Sequence, residues 1–262
     1  MDPQPQVCTD TVFWDDWWKN YPLPATVHRT NRSDYVNALL SAFVKNLQPD
    51  TQKSVLEIGG APGEFLSWFA REFHFQAISV DFSAVGNQKT IENFQIQNLA
   101  VKVFQKDILS DDLSDIPKAD VVYSLGFAEH FENADLIFQK HLECCKPGGF
   151  ILIGFPNFAG INQKILSVFS PKLLQKHAIS VIREDLWMNL AKKYDCKIIK
   201  VQYLGGICPR IWYPVETHIP GYSLINLGIR ALNYGFSRWI LCPGRINSPQ
   251  YSAYWLGIFQ KP

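Results

Sequence analysis

Between residues 53 and 154 the chain alternates short apolar runs with segments in which apolar residues recur at helical spacing. The first pattern is typical of buried strands and the second of amphipathic helices. Their alternation predicts a parallel sheet that is covered by helices. The predicted strands are residues 54–58, 77–80, 100–105, 120–124 and 150–154, and the predicted helices are residues 65–73, 87–95 and 134–144.

We therefore expect an α/β fold built on a doubly wound, Rossmann-like sheet. Ligands of such folds bind at the carboxyl ends of the strands, so functional residues are expected in the loops that follow them. A turn is expected at residues 146–149, Lys-Pro-Gly-Gly, just before the fifth predicted strand.

The first 50 residues are expected to form a helical extension of this domain, which spans residues 51–262. Four aromatic residues follow an i, i+3, i+4, i+7 spacing, which places them on one helical face. That face either packs on the domain or forms a lid over a substrate pocket. The four residues are Trp14, Trp17, Trp18 and Tyr21. Residues 35–47 are predicted to form a second helix, after N-cap candidates at residues 31–34.

The C-terminal part is expected to add a cap and one strand. Insertions at about residues 156–180 and 215–248 are expected to form the cap. A helix is expected within residues 222–241. Because Gly228 and Gly235 weaken an independent helix, we interpret it as a pocket cover or core helix rather than a dimer surface or an interfacial helix. Its predicted polar face carries Asn226, Arg230, Asn233 and Ser237. The alternating aromatic segment at residues 251–259 is the candidate last strand.

Composition excludes several classes of protein. The 262 residues are 47% hydrophobic and 14% aromatic, enough for a full core, which rules out disorder and collagen-like repeats. The six cysteines form no Cys-x-x-Cys pair and no Cys/His ligand spacing, so we expect buried thiols, no disulfide scaffold and no metal site. No run of about 18 apolar residues and no signal-peptide pattern is seen, and we expect a soluble, cytoplasmic protein.

Charge is unevenly distributed along the chain. Residues 51–150 carry 8 basic and 14 acidic side chains, whereas residues 151–262 carry 13 and 4, so the net charges are −6 and +9. The basic part either faces an anionic substrate, a peripheral membrane contact or nucleic acid, or forms a solvated surface. The solvated surface is the favoured interpretation.

The loop at residues 57–63, Glu-Ile-Gly-Gly-Ala-Pro-Gly, follows the first predicted strand and opens a helix. Glycine lets the backbone approach a ligand closely, so the loop indicates a nucleotide-type ligand. A dinucleotide fingerprint would need glycine where the chain has Ala61 and Glu64, and no Gly-Lys-Ser/Thr motif follows. A hydride-transfer cofactor is therefore disfavoured.

Acidic residues end the next two strands. Asp81 lies 18 residues beyond Gly63, where a carboxylate that accepts both hydroxyls of a ribose is expected. Asp107 follows the third strand, beside the apolar Ile108. Taken singly, such residues are as typical of a helix cap or a solvated turn.

In this order and spacing, the motifs resemble those of class I S-adenosylmethionine-dependent methyltransferases of the small-molecule type. The motifs are residues 55–63, Val80-Asp81, Lys106-Asp107-Ile108 and residues 146–149. The resemblance covers residues 53–154 and, loosely, the last strand. It implies a seven-stranded, mostly parallel sheet with an antiparallel last strand, and S-adenosylmethionine as cofactor. The family usually has glycine where this chain has Ala61.

The resemblance assigns ten residues to the cofactor. Glu57, Gly59, Gly60 and Gly63 would line its methionine end, Asp81 would hold the ribose, Phe82, Asp107 and Ile108 would surround the adenine, and Leu125 and Gly126 would face the transferable methyl. A cationic sulfonium also suits the acidic middle segment.

The segment after the fourth predicted strand is similar to the Glu-His element of ubiquinone-pathway and other small-molecule methyltransferases. His130 is the leading candidate for a general base, with Glu129 as its orienter or as a loop anchor. The alternative is that His130 is structural. Trp14, Trp18, Tyr21, Asn157 and His177 are the candidate residues for binding the acceptor.

The expected activity is methyl transfer to an aromatic or lipid-like small molecule, in small-molecule or natural-product biosynthesis, with oxygen favoured over nitrogen or carbon. An RNA methyltransferase is one alternative, because Gly60–Gly63 looks like the loop of ribose-methylating enzymes. The fourth strand ends in Ser124-Leu125-Gly126, without the acid and proline that those enzymes carry, and the basic residues are scattered. No nucleic-acid partner is therefore expected. A cofactor-binding protein without turnover is a third reading, and the oligomeric state is left open.

Overall fold

The computed structural model describes residues 9–27, 35–212, 222–235 and 246–262. They form seven strands and nine α-helices. The strands are β1 (Ser54–Ile58), β2 (Gln76–Asp81), β3 (Val101–Gln105), β4 (Ala119–Leu125), β5 (Cys145–Pro156), β6 (Lys197–Ile207) and β7 (Ser252–Gln260). The helices are α1 (Thr11–Lys19), α2 (Tyr35–Asn46), α3 (Glu64–Phe73), α4 (Ala84–Ile96), α5 (Ala134–Cys144), α6 (Gly160–Phe169), α7 (Pro171–Gln175), α8 (Glu184–Lys193) and α9 (Tyr222–Gly235).

All seven strands belong to one sheet in the order β3-β2-β1-β4-β5-β7-β6. Strands β1 to β5 pair in parallel, whereas β7 runs antiparallel to both β5 and β6. The predicted α/β class, the seven strands and the antiparallel last strand are confirmed. The order in which strands are added to the sheet reverses between β1 and β4, which are parallel, so the loops after β1, β2, β3 and β4 meet at one edge of the sheet.

Two local expectations differ from the structure. The expected turn at residues 146–149 lies within β5, where the pairing with β4 shifts register between Ala119 and Val121. The expected cover or core helix at residues 222–241 is α9, and Leu224 and Leu227 on it are 75% and 64% exposed. Among its described side chains only Ile229 is buried, because α9 packs chiefly on the short turn at Pro209–Trp212. Positions 31–34, 215–221 and 236–245 lie outside the described residues.

Large apolar side chains fill both faces of the sheet. On one face, the rings of Phe138, Trp187 and Trp255 pack among the residues of α5, α8 and β7. On the other face, Phe43 and Phe69 pack between α2 and α3. Each such burial contributes about 1.5–3 kcal/mol, so these clusters hold the strand ends that carry the site in fixed positions.

The N-terminal segment crosses the edge of the sheet where the loops meet. Asp10 caps α1 by accepting a hydrogen bond from the backbone N–H of Phe13 at 2.9 Å. Asn93 of α4 anchors the segment that follows: its amide bonds both the N–H and the carbonyl of Ala25, and it donates to the carbonyl of Pro62. The helical extension is thereby tied to the glycine loop.

The described cysteines, Cys144, Cys145, Cys196 and Cys208, are buried free thiols, whereas Cys8 and Cys242 lie outside the described residues. Across the part of the chain that the structure describes, no helix has the length and apolar character needed to cross a bilayer.

Candidate active site

The loops at the carboxyl ends of β1 to β4 enclose two adjoining cavities of about 430 and 450 Å³. The first lies over the ends of β2 and β3. The second lies between the glycine loop, α1 and the segment after β5. The two cavities share Trp14, Trp18, Gly59, Gly126 and His130. A ligand that fills the first cavity can therefore reach a second ligand in the other.

The glycine loop is shaped by close packing at two of its glycines. Gly59 has φ +64°, and a Cβ added there would lie 2.2 Å from Cδ2 of Phe127. A Cβ at Gly60 would lie 2.0 Å from Cδ of Glu57. No larger residue fits either place without displacing a wall of the cavities. Gly63 lines neither cavity; at φ +75° it starts α3 and donates its N–H to the carbonyl of Gly60.

Asp81 is held at the end of β2 with its carboxylate at the first cavity. Only 5% of the residue is exposed, one carboxylate oxygen accepts the N–H of Ser83 at 2.9 Å, and the other faces the N–H of Ala61 at 3.4 Å. Burial raises the pKa of Asp81 to about 6. A carboxylate bears two more lone pairs than these contacts use, which suits it to accept the two hydroxyls of a ribose.

Glu57, at the end of β1, is the second buried acid and lines the second cavity. It is 2% exposed, and its Oε2 has no hydrogen-bond partner among the described residues. Burial raises its pKa to about 8, with further contributions from the charges of Asp81 and Glu64. A cationic ligand beside Glu57 would favour its ionised form, because the positive charge of the ligand offsets the free-energy cost of burying the carboxylate.

The far end of the first cavity is apolar. Phe82 and Ile108 line it, together with Leu109, which the sequence did not single out. Asp107 also lines this cavity, but its carboxylate oxygens accept hydrogen bonds from the N–H of Leu109 and the hydroxyl of Ser110. The Asp107 side chain thus stabilises the turn in which it lies as well as bordering the cavity.

Aromatic rings surround most of the second cavity. Trp14 stacks on Trp18 at 5.8 Å between ring centroids, and Trp18 meets Tyr21 edge-on at 5.3 Å. All three were singled out from sequence. Phe13, the neighbour of Trp14 in the sequence, lies in the same wall. The wall also includes Tyr35, Phe65 and Leu173, which were not singled out. Their spread from residue 35 to residue 173 left no local signal by which to group them.

A polar group made of Glu129, His130 and His177 interrupts this aromatic wall. The two imidazole rings lie 4.6 Å apart, and the ring of Trp14 meets His130 edge-on at 5.3 Å. Burial lowers the pKa of His130 to about 4 and raises that of Glu129 to about 8. The structure thus brings His177, from the turn after α7, against the Glu-His pair that follows β4.

Asn157 does not join this group. It is 1% exposed, and its amide donates to the carbonyls of Pro249 and Ser252 while its oxygen accepts the N–H of Ala159 at 3.3 Å. It lines neither cavity. The prediction that Asn157 contacts the acceptor is wrong, because its amide is used to fasten the end of β5 to the beginning of β7.

A doubly wound sheet with this strand order, a glycine loop after β1 and a buried acid after β2 defines the fold and cofactor cleft of class I S-adenosylmethionine-dependent methyltransferases. The chain belongs to the methyltransferase-domain family, whose pattern it matches over residues 28–201. The resemblance seen in the sequence is thereby confirmed, with S-adenosylmethionine as the cofactor. No curated protein matches the chain well enough to count as a relative.

Solved structures share this fold at low sequence identity. The [4+2]-cyclase SpnF is 13% identical, with a TM-score of 0.64 over 98% of this chain and 97% of that one. Geranyl diphosphate C-methyltransferase from Streptomyces coelicolor A3(2) is 11% identical, with a TM-score of 0.60 over 96% and 98%. A putative sarcosine dimethylglycine methyltransferase from Galdieria sulphuraria is 16% identical, with a TM-score of 0.57 over 95% and 86%. At this identity the comparison shows the fold alone.

The buried acids predict a pH dependence of stability and cofactor binding. Glu57 and Asp81 have raised pKa values, so between about pH 4 and pH 8 the folded protein holds protons that the unfolded chain has lost. These two acids should therefore lower the free energy of unfolding of the cofactor-free protein as the pH rises, most clearly above about pH 6.5, where the buried His130 and His141 are neutral in the folded and unfolded states and no longer act in the opposite direction. A bound sulfonium favours the ionised acids, so the affinity for S-adenosylmethionine should rise from pH 5.5 to pH 7.5. Thermal unfolding and calorimetry at the two pH values measure both effects, and an affinity that falls with rising pH would contradict the expectation.

Proposed function

We propose that this enzyme transfers the methyl group of S-adenosylmethionine to an oxygen of a small aromatic or lipid-like acceptor. The observation that carries the proposal is the second cavity, an aromatic chamber that shares a wall with the cofactor cleft and, besides the buried Glu57 at the end of β1, contains the polar group of Glu129, His130 and His177. In this proposal the first cavity holds the nucleoside, and the junction of the two cavities holds the sulfonium.

The cofactor is then held by residues around the first cavity, the junction and the adjoining part of the second cavity. Asp81 accepts the ribose hydroxyls, and the apolar walls at Phe82 and Ile108 enclose the adenine, with Asp107 at its edge. Glu57, Gly59 and Gly60, with Leu125 and Gly126, border the methionine end, while Gly63 sets the path of the loop. The cavity that each residue lines supports these roles, except for Gly63, which lines neither cavity.

The acceptor is oriented by the aromatic chamber. Trp14, Trp18 and Tyr21 provide flat, apolar surfaces on which a ring or chain packs, and they exclude water from the junction. Methyl transfer from a sulfonium is an in-line displacement, so most of the rate enhancement comes from alignment and from the exclusion of water. Only one polar contact is needed, at the attacking atom.

That contact is assigned to His130. Its Nδ1 lies 2.8 Å from the carbonyl oxygen of Lys176, and only an N–H can bond a carbonyl. The proton is therefore on Nδ1, and Nε2 carries a lone pair that can accept the hydroxyl of the acceptor. In the reaction the oxygen bonds to the methyl carbon, the carbon–sulfur electron pair goes to sulfur, and the hydroxyl proton passes to Nε2 of His130.

An acceptor survey with methyl-labelled S-adenosylmethionine tests this proposal. The survey compares a phenol that bears an apolar chain, the matching aniline and an unstructured RNA. We expect label to enter the phenol as a methyl ether. Transfer to the aniline alone would show that nitrogen is the target, and transfer to RNA would show that the acceptor is not a small molecule.

A further inference from the structure

The polar group in the acceptor cavity has the composition of a metal site. One nitrogen from each of His130 and His177 and one carboxylate oxygen of Glu129 lie within 4.8 Å of one another. Two imidazoles and one carboxylate form a common ligand set for divalent transition metals, and they leave coordination positions open. The spacing of these residues along the chain gives no hint of it, since Glu129 and His177 are far apart in sequence.

Both imidazoles are held in the tautomer that a metal ligand needs. Nδ1 of His130 bonds the carbonyl of Lys176 at 2.8 Å, and Nδ1 of His177 bonds the carbonyl of Leu173 at 2.6 Å. Each ring therefore keeps its lone pair on Nε2. Metal-ligating histidines characteristically donate their other N–H to a carbonyl or carboxylate in this way.

The buried histidine His141 shows what a purely structural role looks like in this chain. Both ring nitrogens of His141 have a hydrogen-bond partner. Nδ1 lies 2.8 Å from the carbonyl oxygen of Ile137, and Nε2 lies 2.9 Å from the hydroxyl of Ser124. For His130 and His177, the described residues provide a hydrogen-bond partner at Nδ1 only. Their Nε2 atoms are left for a ligand.

Glu129 lacks the partners that a buried carboxyl group usually has. It is 1% exposed, and its Oε2 makes no hydrogen bond to any described residue. Its other oxygen borders Gly126, 3.6 Å from where a Cβ would lie, and Gly126 lines both cavities. Nearly all buried polar groups in proteins are bonded, so an orphan carboxyl oxygen beside two free imidazole nitrogens points to a cation that is bound there.

The backbone fixes the three ligands relative to one another. The N–H of Ala178 donates to the carbonyl of Glu129 at 2.7 Å, and the ring of His130 bonds the carbonyl of Lys176. These two bonds join the turn after α7 to the loop after β4. The Lys176 ammonium lies 4.1 Å above the ring of Phe13, in a cation–π contact.

We propose that Glu129, His130 and His177 bind one divalent transition-metal cation, and that the acceptor oxygen occupies an open position on it. This proposal rests on the proposed function, because it concerns how the same acceptor is activated.

With the cation present, Nε2 of His130 binds the metal instead of the acceptor proton. The hydroxyl releases its proton to water and binds as an oxyanion, whose lone pair then forms the bond to the methyl carbon as the carbon–sulfur bond breaks. No group is oxidised or reduced. The favoured acceptors are phenols or other oxygen compounds able to bind a metal.

Titration of the untagged 262-residue chain with Zn²⁺ and Co²⁺ tests this proposal. We expect one equivalent of either metal to bind, with visible absorption from Co²⁺ in a protein site. His177→Ala and Glu129→Gln should each weaken binding at least about ten-fold. The matched control, His74→Asn, replaces an exposed histidine at the end of α3, where the positive φ of +59° suits asparagine better than alanine, and should bind metal as the wild type does.

S-adenosylhomocysteine binding, measured on the same samples, separates this proposal from the proposed function. If the wild type binds S-adenosylhomocysteine but no metal, the metal site is wrong and the methyltransferase assignment stands. The metal site is equally wrong if metal binds but His177→Ala and Glu129→Gln leave its affinity unchanged. If Co²⁺ absorption is lost in both variants while S-adenosylhomocysteine still binds, the loss is specific to the ligands and the proposal is supported.

Discussion

Asp81→Ala is expected to weaken binding of S-adenosylmethionine by about 100-fold. The Asp81 carboxylate is buried at the first cavity, and in the proposed arrangement it accepts both ribose hydroxyls. A hydrogen bond to a charged group contributes about 1.5–3 kcal/mol, so the loss of two such bonds, partly replaced by water, corresponds to this change in the dissociation constant. Isothermal titration with S-adenosylhomocysteine measures it.

Two further variants control for disruption of the loop. Asp81→Asn keeps the size of the side chain and should still weaken binding markedly. Asp107→Ala removes a carboxylate whose hydrogen bonds stay within its own turn, so its effect should be several-fold smaller. If Asp81→Asn bound the cofactor as the wild type does while Asp107→Ala did not, the ribose would have to be assigned to the end of β3.

The second large effect is expected from His130→Ala, which should lower kcat by about 10²- to 10⁴-fold and leave the affinity for S-adenosylhomocysteine nearly unchanged. This range is typical of the loss of an acid–base group, and the loss of a metal ligand at the acceptor would act in the same direction. Single-turnover rates with labelled cofactor, together with calorimetry, separate the two quantities.

His74→Asn is the control for this variant, since it removes an exposed imidazole that lines neither cavity and should keep full turnover. A His130→Ala enzyme with wild-type kcat on its true acceptor would show that His130 is structural. A loss of cofactor affinity as large as the loss of kcat would place His130 in the cofactor site instead.

The sequence predicted those parts of the fold and site that depend on residues close together along the chain. Buried parallel strands read as short apolar runs, which is why β1, β2 and β4 were found close to their observed bounds. The glycine loop and Asp81 follow strands directly, so their meeting at one edge of the sheet could be inferred from topology alone. Strand β6 was not identified, although β3, which is also a half-buried strand at the edge of the sheet, was.

The acceptor side of the site could not be predicted in this way. His177 reaches His130 only because the turn after α7 folds back onto the loop after β4, a contact that no periodicity encodes. Asn157 was expected at the pocket because it is a polar residue that follows a strand. Its amide instead donates hydrogen bonds to the backbone carbonyls of Pro249 and Ser252. The spacing of a motif thus predicts where a strand ends. Whether a side chain at that end lines the pocket or bonds a neighbouring segment is determined by tertiary packing.

Calorimetric titration of the pure, folded protein with S-adenosylhomocysteine tests the central claim most directly. The loops after β1 and β2 are expected to bind one equivalent per chain, with a matching rise in the thermal unfolding temperature, and NAD should produce neither effect. The absence of both heat and stabilisation with S-adenosylhomocysteine and with S-adenosylmethionine would contradict the assignment of the cleft.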